Sequence, residues 1–204
     1  MVARSAAAWQ GTRAESASWQ QALQALVEEP DQLADELGLD TRSLDVDRRP
    51  QFPLRVPRPF LARVEKGSRD DPLLRQVLPT LEERKTTPAF TTDPLAEHGA
   101  SVRPGLIHKY HGRVLLIVSS HCAIHCRYCF RRHFPYSDNR LAREDWEQIL
   151  VALRADHSLR EVILSGGDPL SLPDRRLRWL IDKLAALPQL TRLRIHSRMP
   201  VVIP

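Results

Sequence analysis

Long apolar segments are missing from this 204-residue sequence. The longest purely aliphatic stretch runs from Val114 to Val118, far short of the roughly 20 residues that a membrane-spanning helix needs. Residues 1–16 contain no apolar run of signal-peptide length. We therefore expect a cytoplasmic protein that does not bind a membrane.

Lysine is scarce: only four of the 30 basic residues are lysines, and the other 26 are arginines. The formal net charge is +5, but the arginines are scattered along the chain without forming a basic stripe. Arginines on solvated surfaces explain such a charge better than nucleic-acid binding does, so we expect no nucleic-acid partner. Hydrophobic residues make up 42% of the sequence, which indicates a folded globular protein and not a disordered one.

Cysteine is rarer still, and all three cysteines lie in the stretch HCAIHCRYCFRRHFPY, residues 121–136. Cys122, Cys126 and Cys129 follow the spacing C-x3-C-x2-C, in surroundings too charged for a buried core. One interpretation is a Cys3His zinc site. Its fourth ligand would be one of three nearby histidines: His121, His125 or His133. The other interpretation is an iron-sulfur cluster, in which three thiolates leave one iron open for a chelating cosubstrate.

The second half of the chain alternates between strand and helix patterns. RVLLIVSS, EVILSGGDP and LTRLRIHSRMP predict strands, and AREDWEQILVALRA and DRRLRWLIDKLAAL, which lie between them, predict helices with one apolar face. This order predicts a parallel sheet with right-handed crossovers. Because chemistry in such sheets lies at the carboxyl ends of the strands, we expect the cysteine loop, SGGDP and HSR to converge on one site.

The first half predicts two smaller regions. Residues 1–50 form a helical lead-in, with helices predicted at SASWQQALQALVEE and DQLADELGL. Residues 51–107 are rich in proline and contain only short helical pieces, so we expect an arm that wraps a neighbouring surface. Residues 108–204 then form the α/β core.

The cysteine loop resembles the signature of the radical S-adenosylmethionine (SAM) enzymes, in which an aromatic residue precedes the third cysteine, as Tyr128 does here. SGGD resembles their GGE-type segment, whose backbone binds the SAM ammonium; two glycines would let a ligand approach closely. Longer stretches are similar to the lysine 2,3-aminomutase branch, especially to the enzymes that make (R)-β-lysine for elongation factor P. These stretches are LRVPRPFLARVEKGSRDDPLLRQVLPT, AFTTDPLAEH, PGLIHKYHGRVLLIVSSHCAIHCRYCFRRHFPY and LRIHSRMPVVIP.

The resemblance implies an isomerase, an intramolecular aminotransferase that converts (S)-α-lysine to (R)-β-lysine. Its cofactors would be a 4Fe-4S cluster, SAM and pyridoxal 5'-phosphate (PLP). Its partners would be free L-lysine, an electron donor such as flavodoxin or ferredoxin, and, through the pathway, elongation factor P and its lysine ligase. The implied fold is α/β: the N-terminal half of a partial (βα)6 TIM-type barrel, preceded by the small helical region.

The resemblance also assigns roles to residues of this sequence. The cluster ligands are Cys122, Cys126 and Cys129, and the SAM-binding residues are Tyr128, Ser165, Gly166, Gly167 and Asp168. Arg131 pairs with the substrate carboxylate, a role that suits the bidentate guanidinium fork. The PLP-binding residues are Lys109, Tyr110 and Arg113, and His196, Ser197 and Arg198 are assigned to the cofactor pocket. For Arg132 and Arg198, an ordinary surface ion pair is the alternative.

The family needs six strands, and this sequence supplies three before it ends. In that family the lysine that carries PLP and the acidic residues that bind the substrate ε-ammonium come from the part after Pro204, so no catalytic residue is assigned here. We expect a truncated chain or a fragment that is inactive alone. A radical SAM enzyme acting on another amino acid and a zinc-stabilised binding module stay open as alternatives.

Overall fold

The computed structural model describes residues 18–40, 45–139 and 141–204, so residues 1–17 and 41–44 of the predicted lead-in lie outside it. The N-terminal elements are helix α1 (Trp19–Gln24), strand β1 (Leu26–Val27), helix α2 (Pro30–Leu37), strand β2 (Val56–Pro57) and helix α3 (Arg58–Leu61). The remaining strands are β3 (Ser101–Arg103), β4 (Leu106–Tyr110), β5 (Arg113–Ser119), β6 (Glu161–Gly166) and β7 (Arg192–Ile195). The remaining α-helices of the described residues are α4 (Arg143–Ala155), α5 (Asp174–Ala185) and α6 (Met199–Val202), and short 3-10 helices lie in the connecting segments.

The parallel part of the sheet consists of β5, β6 and β7. Val114 in β5 lies beside Val162 in β6, which in turn lies beside Leu193 in β7. Helix α4 connects the first two strands and α5 connects the last two, and both bury their apolar faces against one side of the sheet. The predicted α/β architecture is therefore confirmed.

Two antiparallel strands extend this sheet further than the sequence pattern indicated. Strand β4 pairs with β5 and β3 pairs with β4, which gives the order β3-β4-β5-β6-β7. Residues 101–107, which we assigned to the proline-rich arm, therefore contribute to the sheet. Strand β3 has only three residues, all of them exposed, which is too short for the alternation of apolar and polar residues by which a strand is recognised.

The lead-in is less helical than predicted. Helix α1 ends at Gln24, and the next residues turn into β1, which pairs with β2 in the arm. This pairing leaves Val27 and Val56 with no exposed surface, and such tertiary burial overrides the local helical pattern. Helix α2 agrees with the prediction and ends at Leu37; its C-cap is Gly38, whose φ of 66° is the left-handed conformation.

The described residues form two apolar cores. One lies between the sheet and helices α4 and α5. The other joins the lead-in and the arm to Ala123 and Ile124 of the cysteine loop and to Met199 and Val202 of α6. The arm therefore packs on the residues that follow the parallel strands, where the predicted site lies. Within the described ranges, we find no helix with the length and apolar character that crossing a membrane requires.

Candidate functional site

The three polar loops converge as expected at the carboxyl ends of β5, β6 and β7. They enclose a cavity of about 580 Å³, within the usual size range for small-molecule sites. The predicted residues that line it are Cys122, Cys126, Tyr128, Cys129, Arg131, Ser165, Gly166, Gly167, Asp168, His196, Ser197 and Arg198. Residues distant in sequence thus share one cavity because the parallel strands end at the same edge of the sheet.

The arm holds the cysteine loop in place through main-chain hydrogen bonds. The His125 N–H donates to the Arg55 carbonyl (2.9 Å), and the Arg127 N–H donates to the Gln76 carbonyl (2.8 Å). The Arg127 guanidinium also donates from Nε to the Glu83 carboxylate (2.5 Å). The arm thereby fixes the loop conformation, which the loop sequence alone does not determine.

Burial controls the protonation of two of the thiols. Desolvation raises the pKa of Cys122 to about 12. Desolvation also raises the pKa of Cys126, although the Arg198 guanidinium opposes this shift. Both thiols are therefore protonated at neutral pH without a metal and release their protons when they ligate one.

The donor set fits a cluster with an open iron better than a closed zinc site. None of the three histidines considered as a fourth zinc ligand lines the cysteine cavity. Among the described residues, no three His, Cys, Asp or Glu side chains converge on a single ion position. A zinc ion holds all its thiolates at about 2.3 Å from one point, whereas the cysteines of a cubane ligate separate irons and lie farther apart.

The glycines of SGGD are required for a reason that the sequence did not reveal. We expected them to admit a ligand, but a Cβ at Gly167 would lie 2.3 Å from the His121 carbonyl oxygen, and one at Gly166 would lie 2.5 Å from that of Ser119. The N–H groups of Gly167 and Asp168 donate to these same carbonyls, of Ser119 (2.7 Å) and His121 (2.6 Å) respectively. The glycines therefore admit the backbone of the cysteine loop.

The Asp168 carboxylate connects two of the loops. Its Oδ1 accepts from Ser197 Oγ (2.7 Å) and from the Leu170 N–H (3.0 Å). Its Oδ2 accepts from the N–H groups of Arg198 (2.8 Å) and Met199 (3.0 Å). These four bonds use the whole accepting capacity of the carboxylate, so Asp168 orders the loop after β7 and leaves ligand contacts to the neighbouring backbone.

Arg131 lies almost fully buried, with 5% of its surface exposed. Its Nε and Nη2 donate to the two carboxylate oxygens of Glu97 (2.8 and 2.6 Å), which is itself buried, and Nη1 donates to Ser165 Oγ (2.8 Å). A guanidinium has five N–H groups, and these bonds use three of them. One N–H group therefore remains on each terminal nitrogen. These two N–H groups can still donate to a carboxylate.

A second cavity, of about 320 Å³, adjoins the first and contains the residues predicted to hold PLP: Lys109, Tyr110 and Arg113. Both cavities are lined by Arg131, Ser165 and His196. The two predicted ligand sites are therefore adjacent, and Arg131 lies between them.

Arg113 lines this second cavity and also belongs to a charged group near the amino ends of β5, β6 and β7, whose other members do not line the cavity. The buried Glu161 carboxylate lies 3.0 Å from the nearest guanidinium nitrogen of each of Arg113, Arg192 and Arg194. Burial by itself would raise the pKa of Glu161, but the three arginines hold it below its ordinary value. The charged side chains that line the second cavity itself are those of Lys109, Arg113, Arg131 and Glu97. Three positive charges against one negative charge leave a surplus of two, which suits an anionic group such as a phosphate.

His196 and the two uncertain arginines differ in their surroundings. Burial and the nearby charges of Arg131 and Arg194 lower the pKa of His196, so its imidazole is neutral at pH 7. Arg132 pairs with Glu83 at 2.9 Å and does not line the cysteine cavity, as the ion-pair alternative expects. Arg198 does line it.

Sequence reasoning missed two residues that hold site side chains in place. Glu97 pairs with Arg131, and Gln76 Oε1 accepts from both Tyr128 Oη (3.2 Å) and Arg198 Nη2 (3.0 Å). A buried arginine requires an acidic partner, but nothing in the sequence distinguishes Glu97 from the other members of a set of 25 acidic residues.

Comparisons with known proteins agree with this geometry. The family model described as "Radical SAM superfamily" matches residues 116–202. An L-lysine 2,3-aminomutase of Escherichia coli strain K12 is 50% identical over 91% of this chain and 55% of the relative, and one of Haemophilus influenzae is 43% identical over 93% and 57%. One of Clostridium subterminale is 38% identical over 71% of this chain and 35% of the relative. The chain spans about half the length of the first two relatives. It belongs to the radical SAM lysine 2,3-aminomutase family.

Proposed function

We propose that this chain provides the cluster-binding and SAM-binding part of a PLP-dependent L-lysine 2,3-aminomutase. The observation that carries the proposal is the shared cavity of the three cysteines, the SGGD backbone and Arg131, next to a second cavity with surplus positive charge. In this proposal Cys122, Cys126 and Cys129 ligate a 4Fe-4S cluster. Family membership implies a 4Fe-4S cluster and SAM as cofactors. The positive charge of the adjoining cavity supports PLP as the third.

When bound, these cofactors supply the radical chemistry for hydrogen abstraction and nitrogen migration, and the protein binds and orients. Arg131 offers its two remaining N–H groups to the substrate carboxylate, as a charge-assisted pair. Backbone groups of SGGD bind the SAM ammonium. Lys109, Tyr110 and Arg113 contact PLP, with the surplus positive charge of the cavity lining at the phosphate.

Lys109 and Arg113 both have protein partners. The Lys109 ammonium donates to the Leu95 carbonyl (2.5 Å), and Arg113 pairs with Glu161. An ammonium has three N–H donors, so Lys109 keeps two for a phosphate. The neutral His196 ring lies between the cavities, where it can contact either ligand.

The identity of the substrate and the biological role follow from the resemblance. We propose L-lysine as the substrate and (R)-β-lysine for elongation factor P as the product, with a flavodoxin or ferredoxin as electron donor in the cytoplasm. The E. coli and H. influenzae relatives align over 91% and 93% of the chain and the C. subterminale relative over 71%, so the likeness to the first two covers more of the chain. We expect the PLP lysine beyond Pro204. Sequencing the gene past that codon tests whether the reading frame continues to this lysine.

Anaerobic reconstitution with iron and sulfide tests the site. We expect a brown protein whose reduced cluster gives an electron paramagnetic resonance (EPR) signal that SAM perturbs, and a Cys126→Ser variant that loses the cluster. A colourless protein that copurifies with zinc would overturn the proposal in favour of the zinc module.

The substrate assignment has its own test. The full-length enzyme, which includes the part expected beyond Pro204, should convert L-lysine to β-lysine when loaded with cluster, SAM and PLP, with other α-amino acids as the comparison. Turnover of a different amino acid would replace lysine and leave the cluster assignment intact.

A further inference from the structure

Arg198 makes a contact with the cysteine loop that its position in the sequence does not suggest. Its Nη1 lies 2.6 Å from the Sγ of Cys126, as a donor to the sulfur. The two residues are 72 positions apart, on the loops after β7 and β5. A side chain from the last strand of the sheet thus reaches a sulfur that we propose as a cluster ligand.

The surrounding structure fixes Arg198 at both ends. The Asp168 carboxylate accepts from its main-chain N–H (2.8 Å). Its Nη2 donates to Gln76 Oε1 (3.0 Å), and its guanidinium carbon lies 5.5 Å from the centroid of the Tyr128 ring, within the range of a cation-π contact. The guanidinium is therefore held beside the sulfur and is not a free surface cation.

A fixed cation beside a cluster ligand has a defined electrostatic effect. One-electron reduction adds a negative charge to the cluster and its thiolates, and hydrogen bonds to the sulfurs are among the factors that set cluster reduction potentials. A donor at Sγ stabilises the reduced form more than the oxidised form, because the reduced form carries more negative charge. The potential therefore rises.

We propose that Arg198 is a positioning residue that donates a hydrogen bond to the ligating Cys126 thiolate and raises the reduction potential of the cluster. The proposal rests on the proposed function, since it requires the cluster. The electron comes from a low-potential one-electron donor, and the cluster is the species that is reduced. Removing the Arg198 guanidinium then makes the cluster harder to reduce.

An EPR-monitored redox titration of the reconstituted chain measures this effect. Arg198→Met should lower the equilibrium constant for one-electron reduction at least about tenfold, which is about 59 mV for one electron. Arg198→Lys keeps the charge but cannot bridge the sulfur and Gln76, so its potential should lie in between. Arg132→Met is the matched control: it removes the same charge from the cysteine loop, where Arg132 pairs with Glu83, and should leave the potential near that of the wild type.

Gln76→Ala covers the case in which Arg198→Met assembles no cluster. It leaves the three cysteines and Arg198 in place and removes the amide that accepts from the guanidinium and from Tyr128 Oη, so the potential should fall by a smaller amount. Equal potentials in wild type and in all cluster-loaded Arg198 and Gln76 variants would overturn this inference alone, as would an equal shift in Arg132→Met. A wild-type chain that assembles no cluster would overturn the proposed function and this inference with it.

Discussion

Replacing Gly167 by alanine should displace the cysteine loop. The added Cβ would lie 2.3 Å from the carbonyl oxygen of His121, 2.7 Å from its carbonyl carbon and 2.8 Å from its nitrogen. Ordinary contact begins at 3.4 Å, so these backbone atoms must move by about 1 Å. His121 is joined directly to Cys122, and a metal site tolerates errors of only about 0.2 Å in its ligand distances. The expected shift exceeds that tolerance several times.

Two quantities follow from this displacement. Overpacking of this kind costs about 1–3 kcal/mol of stability, which urea denaturation of the metal-free chain measures. The iron and acid-labile sulfide bound after anaerobic reconstitution should fall well below the wild-type amount. The matched control is Gly99→Ala, because a Cβ there meets no atom within 4 Å and should change stability by less than about 0.5 kcal/mol.

The outcome separates two roles for the same glycine. If Gly167 serves only to let a ligand approach, Gly167→Ala keeps wild-type stability and cluster content and loses only the SAM-induced change in the EPR signal. That result would refute the argument that this glycine seats the loop. Loss of stability and cluster together, before SAM is added, supports it.

Two further predictions concern charged pairs. Glu97→Ala leaves the buried Arg131 charge without its partner and should lower the free energy of unfolding, measured by urea denaturation, by about 3–5 kcal/mol. The control Glu82→Ala removes an exposed ion pair and should leave the urea midpoint unchanged. Equal urea midpoints in the two variants would contradict the buried pair. The hydrogen bond from Arg84 lowers the pKa of Asp47 below 3.8, so that pair stabilises the fold above about pH 4 and loses its effect as the pH falls through the folded pKa. Arg84→Met should therefore be less stable than wild type at pH 7, with the difference shrinking below about pH 4, and a pH-independent difference would count against the pair.

The parts of the site that the sequence predicted depend on periodicity and topology. Apolar runs identified β5 and β6, amphipathic spacing identified α4 and α5, and parallel order alone places the following loops at one edge. The parts that it missed depend on contacts between distant segments. The pairing of β1 with β2 and the choice of Glu97 as partner of Arg131 join residues far apart in the chain, and no local pattern records them.

The three loops are tied to one another in a closed cycle of hydrogen bonds. The N–H groups of Gly167 and Asp168 join the loop after β6 to the cysteine loop, and the Asp168 carboxylate joins it to the loop after β7. Arg198 closes the cycle by donating to Cys126. Because these bonds form among protein groups alone, the relative positions of the loops do not depend on a bound ligand. The thiols of Cys122 and Cys129 and the two remaining N–H groups of Arg131 lie outside the cycle and stay available to a ligand, and the Cys126 sulfur can still ligate an iron while it accepts from Arg198.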